Sequence, residues 1–281
     1  MKKILLLTTL FVTFLFTTLN VTATEIKTGT FNIRMATPVD SANEWKYRLG
    51  LVMDMLTIEQ FDVIGFQEVL QRQLEDLEIM LPNYAYVGVG REDFDKKGEY
   101  APIFYRADKY RKIESNTFVL AEDTLFIGKL GWDAACTRIV TWILLEDIKT
   151  KQRFYFFNTH FDHVGKVAQK YSAQLLCDKA VAKNKKHPVI ITGDFNVTSD
   201  SEAYTIMTNH FQDSKKIASS LSGDSYTYQG FKKIPEEKFS LIDYIFVSKE
   251  IKIKSYYTIF TENKGVVISD HNVVVAVVEI K

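Results

Sequence analysis

Apolar and polar residues alternate with period two through several short stretches of this chain and recur at helical spacing between them, so strands and helices can be placed before any chemistry is considered. Glu25 to Arg34 alternates and reads as a strand, and Leu49, Val52, Met53 and Leu56 mark an amphipathic helix over Trp45 to Glu59. Phe61 to Gln67 is a buried strand, and Leu70 to Leu81 a short helix stopped by Pro82. This strand, helix, strand, helix opening is that of a layered α/β domain. The middle is richer in strands: Tyr84 to Gly90, Ala101 to Tyr105, Arg111 to Leu120, Ile139 to Leu145 and Arg153 to Asn158. A helix marked by Ala168, Tyr171, Leu175, Leu176 and Ala180 leads into the apolar run from Pro188 to Thr192. A short capped helix over Ser199 to Thr208 and strands over Leu241 to Val247, Ile251 to Phe260 and Val273 to Ile280 complete the chain. The expected fold is a four-layer α/β sandwich in which two packed mixed β-sheets are flanked by helices.

The first residues break this pattern. Met1-Lys2-Lys3 precedes an uncharged, largely apolar run from Ile4 to Leu19, and Val21 and Ala23 occupy the minus-three and minus-one places of a cleavage site. This describes a secretory signal peptide over residues 1–23, a single domain over 24–281, and a protein that is exported, periplasmic or secreted. Lys2 and Lys3 are the only charges removed, so 35 basic and 35 acidic residues become 33 and 35. A near-neutral chain is not built for standing attachment to nucleic acid or anionic membrane, and no stable nucleic-acid complex is expected. After Ala23 no apolar stretch is long enough to span a bilayer. The two cysteines, Cys136 and Cys177, do not make a disulfide scaffold and read as small buried residues, and the chain reads as a monomer.

The chemistry sits where the apolar runs end. Pro188 to Gly193 delivers Asp194 and Asn196, which alternate around Phe195 and would point the same way on an extended backbone. Asn32, Glu68, His160, Asp243, Asp270 and His271 likewise lie just inside or just after apolar runs, and their convergence on one site is the working expectation. The inventory is that of phosphoryl-ester hydrolysis: oxygen ligands for a hard cation, a carboxylate for the attacking water, and donors for the charge that builds on phosphorus. Acyl transfer fits less well, because the chain has no G-x-S-x-G elbow.

Six segments, in order and at approximate spacing, carry a resemblance: Thr30-Phe31-Asn32-Ile33-Arg34, Val63 to Val69 with Gln67-Glu68, Asn158-Thr159-His160-Phe161-Asp162-His163, Gly193-Asp194-Phe195-Asn196, Ile242-Asp243-Tyr244-Ile245 and Ser269-Asp270-His271. The chain resembles the endonuclease/exonuclease/phosphatase superfamily of the deoxyribonuclease I-like fold, and in further segments an exported bacterial branch of it. The resemblance implies that Glu68 is the principal ligand of Mg2+ or Mn2+, with Asn32 and Asp270 beside it. It implies that Asp194 polarises the attacking water, that Asn196 orients water and phosphate, and that Asp243 holds a protonated His271. His160 would be a second histidine on the phosphate or the acid at the leaving group. Arg138, His163 and Asn32 would touch substrate, and Trp132 or Tyr100 would stack on a substrate ring. The implied activity is metal-dependent hydrolysis of a phosphodiester or phosphomonoester. An extracellular nuclease, a sphingomyelinase-like phospholipase and a non-catalytic binding domain on the same scaffold are the alternatives; the lipid version would need an exposed apolar hairpin, which the sequence does not clearly supply.

Overall fold

The computed structural model describes residues 23–280, so the signal-peptide segment lies outside the described residues. The chain runs β1 (Thr24–Asn32), α1 (Trp45–Glu59), β2 (Val63–Gln67), α2 (Gln71–Met80), β3 (Tyr84–Val87), β4 (Ile103–Arg106), β5 (Tyr110–Val119), β6 (Ile139–Asp147), β7 (Arg153–His160) and α3 (Lys166–Asn184). It continues through β8 (Val189–Asp194), α4 (Glu202–His210), β9 (Gln212–Asp213), α5 (Ser214–Ile217), β10 (Leu221–Ser222), β11 (Asp243–Val247), β12 (Lys252–Ile259), β13 (Glu262–Asn263), β14 (Val266–Val267) and β15 (Val273–Ile280). One sheet has the order β10-β12-β15-β1-β2-β4-β3 and the other β5-β6-β7-β8-β11-β9. Both mix parallel and antiparallel pairs, as β1–β2 and β7–β8 are parallel while β1–β15 and β8–β11 are antiparallel.

Side-chain alternation sorts each strand into two cores. On β7, Phe154 and Phe156 enter the core between the sheets, while Tyr155 and Phe157 face α3 and α4. On β2, Val63 faces between the sheets, and Ile64 and Phe66 pack against α1 and α2. The result is helix, sheet, sheet, helix, the four layers expected.

Two local expectations shift. In α1 the buried positions are Trp45, Arg48, Val52, Met55 and Leu56, and Met53 is half exposed. The helix is apolar on more than one side, so its sequence does not single out a face. Arg48 does: fully buried, it donates to the carbonyls of Asn43, Ile33, Ile268 and Arg34 at 2.6–3.0 Å. In β7 the strand reaches His160, two residues beyond the expected end, because His160 pairs in register with Asp194.

Where the sheets meet near the chemistry, the interface is polar. Asn158 of β7 donates to the carbonyls of Phe66 and Pro102 at 2.7 and 3.0 Å, and its Oδ1 accepts from Gln67 Nε2 at 2.6 Å. Gly65 lets the Asn158 side chain in, because a Cβ there would collide with Asn158 Oδ1. Replacing Asn158 by Ala takes a donor from the Phe66 and Pro102 carbonyls and an acceptor from the Gln67 amide besides opening a cavity, and is expected to cost about 3 kcal/mol, or roughly 6–12 °C in Tm. Asn116→Ala on the exposed edge strand serves as the comparison in thermal unfolding. Equal Tm values for the two variants would contradict this account of the interface.

Candidate functional site

The face between the sheets changes character along every central strand. Ile26, Thr28, Thr30 and Asn32 succeed one another on β1, and Phe154, Phe156, Asn158 and His160 on β7. The series is Ile190, Thr192 and Asp194 on β8, and Val247, Ile245 and Asp243 on β11. Each series starts apolar and ends on a functional group at the same edge of the sandwich. Register fixes neighbours: His160 pairs with Asp194, and Asp194 with Asp243.

Across the gap, Asn32 Nδ2 donates to Glu68 Oε1 at 3.1 Å and to Asp194 Oδ2 at 3.0 Å, tying the two halves together. Its Oδ1 accepts from the Arg34 N–H at 3.0 Å. Glu68 Oε2 accepts from the Met35 N–H at 3.0 Å and lies 3.7 Å from Arg34 Nη1, while Arg34 forks onto Asp40 at 3.1 Å. His271 Nδ1 lies 2.8 Å from Asp243 Oδ2, and its Nε2 faces Asp194 Oδ2 at 3.7 Å. Asn196 N–H donates to Asp194 Oδ1 at 2.9 Å. Arg34, Glu68 and Asn196 have φ of 57°, 60° and 50°. Left-handed backbone at non-glycine residues is costly, and here it turns three polar side chains into one space.

That space is a cleft of about 390 Å3 lined by Arg34, Met35, Glu68, Arg91, Glu99, Cys136, Arg138, His163, Asp194, Asn196, Tyr228, Ile242, Asp270 and His271. Hollows of about 420 Å3 beside Trp45 and about 550 Å3 beside Phe118 contain none of the expected site residues. Asn32, His160 and Asp243 stand immediately behind the lining. His160 is not among the lining residues and lies 3.5 Å from Asp194 and 3.8 Å from Glu99. Trp132 and Tyr100 do not stack in the cleft either: Trp132 stacks on Tyr171, and Tyr100 is buried with its hydroxyl donating to Asp95 O at 2.9 Å. Cys136, expected as a buried filler, is half-buried on the wall; Cys177 is buried and both are free thiols. Arg34, Arg91, Glu99 and Tyr228 are lining residues to which the sequence reading gave no role, although Arg34 closes the first motif. The run Gly98-Glu99-Tyr100 was the available signal for Glu99.

Burial dominates the electrostatics, and neighbours decide the outcome. It pushes Asp194 up to about 7, with the Asp243 charge adding to the effect. Against burial, the Asp243 and Asp194 carboxylates raise His271 well above the usual imidazole value, so it is a cation at neutral pH. Burial and the charges of Arg138 and Arg91 lower His160 well below it, leaving a neutral ring. Burial would raise Glu68, but the Met35 and Asn32 hydrogen bonds and the His271 and Arg34 charges hold it low; Asp270 is raised by burial and by Glu68. Asp194, Asp243 and His271 have ligand atoms within 4.8 Å of one another, yet a protonated imidazole repels a cation. Glu68 and Asp270 are the carboxylates that fit a hard divalent ion: largely buried, mutually repelling oxygen donors, with the Asn32 amide bonded to Glu68.

The model of the endonuclease/exonuclease/phosphatase family matches residues 29–271. The chain belongs to this family. The crystal structure of a family protein from Bacteroides vulgatus is 42% identical, covers 92% of this chain and 100% of its own, and superposes with a TM-score of 0.88. The mannosyl-6-phosphatase of Bacteroides thetaiotaomicron is 34% identical over 90% of this chain and 99% of its own, with a TM-score of 0.82. An uncharacterized protein, L388, of Acanthamoeba polyphaga mimivirus is 28% identical over 264 residues, 86% of this chain and 95% of that one. The fold is accordingly the deoxyribonuclease I-like sandwich, and this family member is a hydrolase of phosphate esters.

The imidazole nearest the nucleophile side is expected to stay protonated because of Asp243. In NMR titration His271 should not titrate between pH 5 and 8 in the native protein. In Asp243→Asn the titration should move down, because burial then acts against fewer carboxylates. Identical His271 curves in the two proteins would refute the assignment of charge.

Proposed function

We propose that the protein is an exported, divalent-metal-dependent phosphatase of small soluble phosphate esters, its substrate a phosphorylated sugar or similar alcohol. The observation that carries this reading is the cleft itself. It has the size of a single small-molecule site, and its lining brings Glu68, Asp270, Asp194 and His271 together with Arg91, Glu99 and Arg138. A strand of nucleic acid would need a longer basic track than a near-neutral surface supplies. The 34% identity to a mannosyl-6-phosphatase supports a sugar phosphate over a phosphodiester.

In this mechanism Asp194, ionised above about pH 7, orients and deprotonates the attacking water, with the Asn196 N–H donating to its Oδ1. His271, held cationic and oriented by Asp243, donates to a phosphate oxygen and stabilises the charge that grows there. Asn32 keeps Glu68 and Asp194 at fixed separation. Glu68, Asp270 and Asn32 would hold Mg2+ or Mn2+, which supplies Lewis acidity and charge neutralisation at the phosphate when bound. His160, neutral and behind Asp194, positions that carboxylate rather than contacting phosphate.

One observation favours a second reading, hydrolysis of a phospholipid headgroup. The loop between β5 and β6 leaves Leu125, Phe126, Ile127 and Leu130 between about half and four-fifths exposed, an apolar surface that the sequence alone did not reveal.

Hydrolysis of a panel of sugar phosphates, inositol phosphates, plasmid DNA and phospholipid vesicles by the chain beginning at Thr24 separates these readings. Sugar-phosphate turnover that stops on chelation and returns with Mg2+ or Mn2+ is expected, and turnover of vesicles alone would transfer the assignment to lipid. Asp194→Asn and His271→Ala should each lower kcat by about a hundred- to a thousandfold. The native rate should fall as pH drops through about 7, because Asp194 then takes up its proton. A flat profile from pH 5 to 8 would remove Asp194 as the base. Mass spectrometry of the exported protein should find Thr24 at its amino terminus, and an intact Met1 would contradict export with cleavage.

A further inference from the structure

We propose that Arg138 reads hydroxyl groups on the alcohol part of the substrate, with Arg91 alongside, and does not grip the phosphate that is cleaved. This assignment rests on the phosphatase reading above and names what its far wall selects: phosphate esters of polyhydroxylated alcohols.

Arg138 immediately precedes β6 and lines the cleft, yet its side chain is only 5% exposed. Its Nη2 lies 3.1 Å from His163 Nδ1. Its Nε lies 3.5 Å from Asp162 Oδ2, but that carboxylate is already saturated: Oδ2 accepts from the Ala135 and Cys136 N–H groups and Oδ1 from those of Val164 and Gly165, at 2.8–3.1 Å. Among the described residues, Nε and Nη1 are left with no hydrogen-bond partner. A buried donor without a partner costs on the order of 1–3 kcal/mol, so a guanidinium kept in this state at the wall of a cleft is matched to acceptors that arrive with a ligand.

Charge identifies those acceptors. Arg138 faces the Asp162 carboxylate, and Arg91 Nη1 pairs with Glu99 Oε2 at 2.8 Å. Each cation on this wall has its own anion, so the wall offers spare donors without spare positive charge. Hydroxyl oxygens suit it, whereas a second phosphate would meet two carboxylates. Glu99 and His163 add acceptors for the hydroxyl protons, which a purely cationic wall would lack.

Position separates Arg138 from the scissile phosphate. Arg138 contacts Asp162 and His163 of the turn after β7, whereas Glu68 contacts Asn32, Arg34 and Met35. Arg138 thus belongs to a different part of the lining from the residues that would hold the metal, and that part is assigned to the departing alcohol.

The test compares kcat/KM for mannose 6-phosphate with that for phenyl phosphate, whose leaving alcohol has no further hydroxyl. It is made within each preparation of native, Arg138→Met and Arg138→Lys protein, so that any unfolded fraction cancels in the ratio. The preference for the sugar phosphate should fall about ten- to a hundredfold in Arg138→Met and by less in Arg138→Lys, which keeps a donor. Equal losses on both substrates would show that Arg138 grips the scissile phosphate and would overturn the proposal. Should the native protein hydrolyse neither ester, the phosphatase reading fails, and calorimetry with mannose 6-phosphate and inorganic phosphate decides the subsite separately. Tighter binding of the sugar phosphate, lost in Arg138→Met, would support it; equal binding of the two by the native protein would overturn it.

Discussion

The buried side chain of Asn158 is the interaction on which the rest of the structure depends. It projects from the second sheet into the first and satisfies two carbonyls there, Phe66 O and Pro102 O, while its own oxygen accepts from Gln67. Apolar packing between two sheets is non-directional and would tolerate a small slide. A fully buried amide with fixed donors and acceptors does not, because a slide would strand each partner in a dry interior. Phe66 and Gln67 directly precede Glu68, and Asn158 lies two residues before His160. The amide therefore sets the distance between the half of the site carried by the first sheet and the half carried by the second.

From that fixed interface the chemistry follows by alternation. Inward-facing positions on β1, β7 and β8 pass from apolar residues to Thr or Asn and then to Asn32, His160 and Asp194, and on β11 directly from Ile245 to Asp243. The same burial that makes the apolar half stable makes the polar half reactive, since it pushes Asp194 up to about 7 and lets two carboxylates hold His271 protonated. These groups cost stability. Left-handed backbone at Arg34, Glu68 and Asn196 costs more, and Arg48 offsets part of it by clamping the carbonyls of Ile33, Arg34 and Ile268 on either side of Asn32 and Asp270.

Selection of substrate is a matter for the loops, which lie outside this frame. Arg91 and Glu99 come from the connection between β3 and β4, Arg138 from the residue before β6 and His163 from the turn after β7. The division is physically reasonable: strands hold the groups that must be placed to a fraction of an ångström, and connections can change without moving them.

Much of this was legible in the residue order. Period-two and helical spacing gave the strands and helices, including α1 over Trp45–Glu59, and the break from apolar to polar at strand ends marked Asn32, Glu68, His160, Asp194, Asn196, Asp243, Asp270 and His271 as a set. Those signals are local, because side-chain direction and burial repeat along one segment. What required the tertiary structure was every property that depends on two segments at once. The face of α1 was chosen by Arg48 and its distant carbonyls, not by helical spacing. His160 moved behind the lining because β7 pairs with β8, and Trp132 found Tyr171 in place of a ligand. Arg138 was visible as a charged residue beside a strand, but its unsatisfied donors exist only because Asp162 had already given its oxygens to four backbone N–H groups. Sequence determines which groups are available, and hydrogen-bond competition among residues far apart in the chain determines which remain free for a ligand.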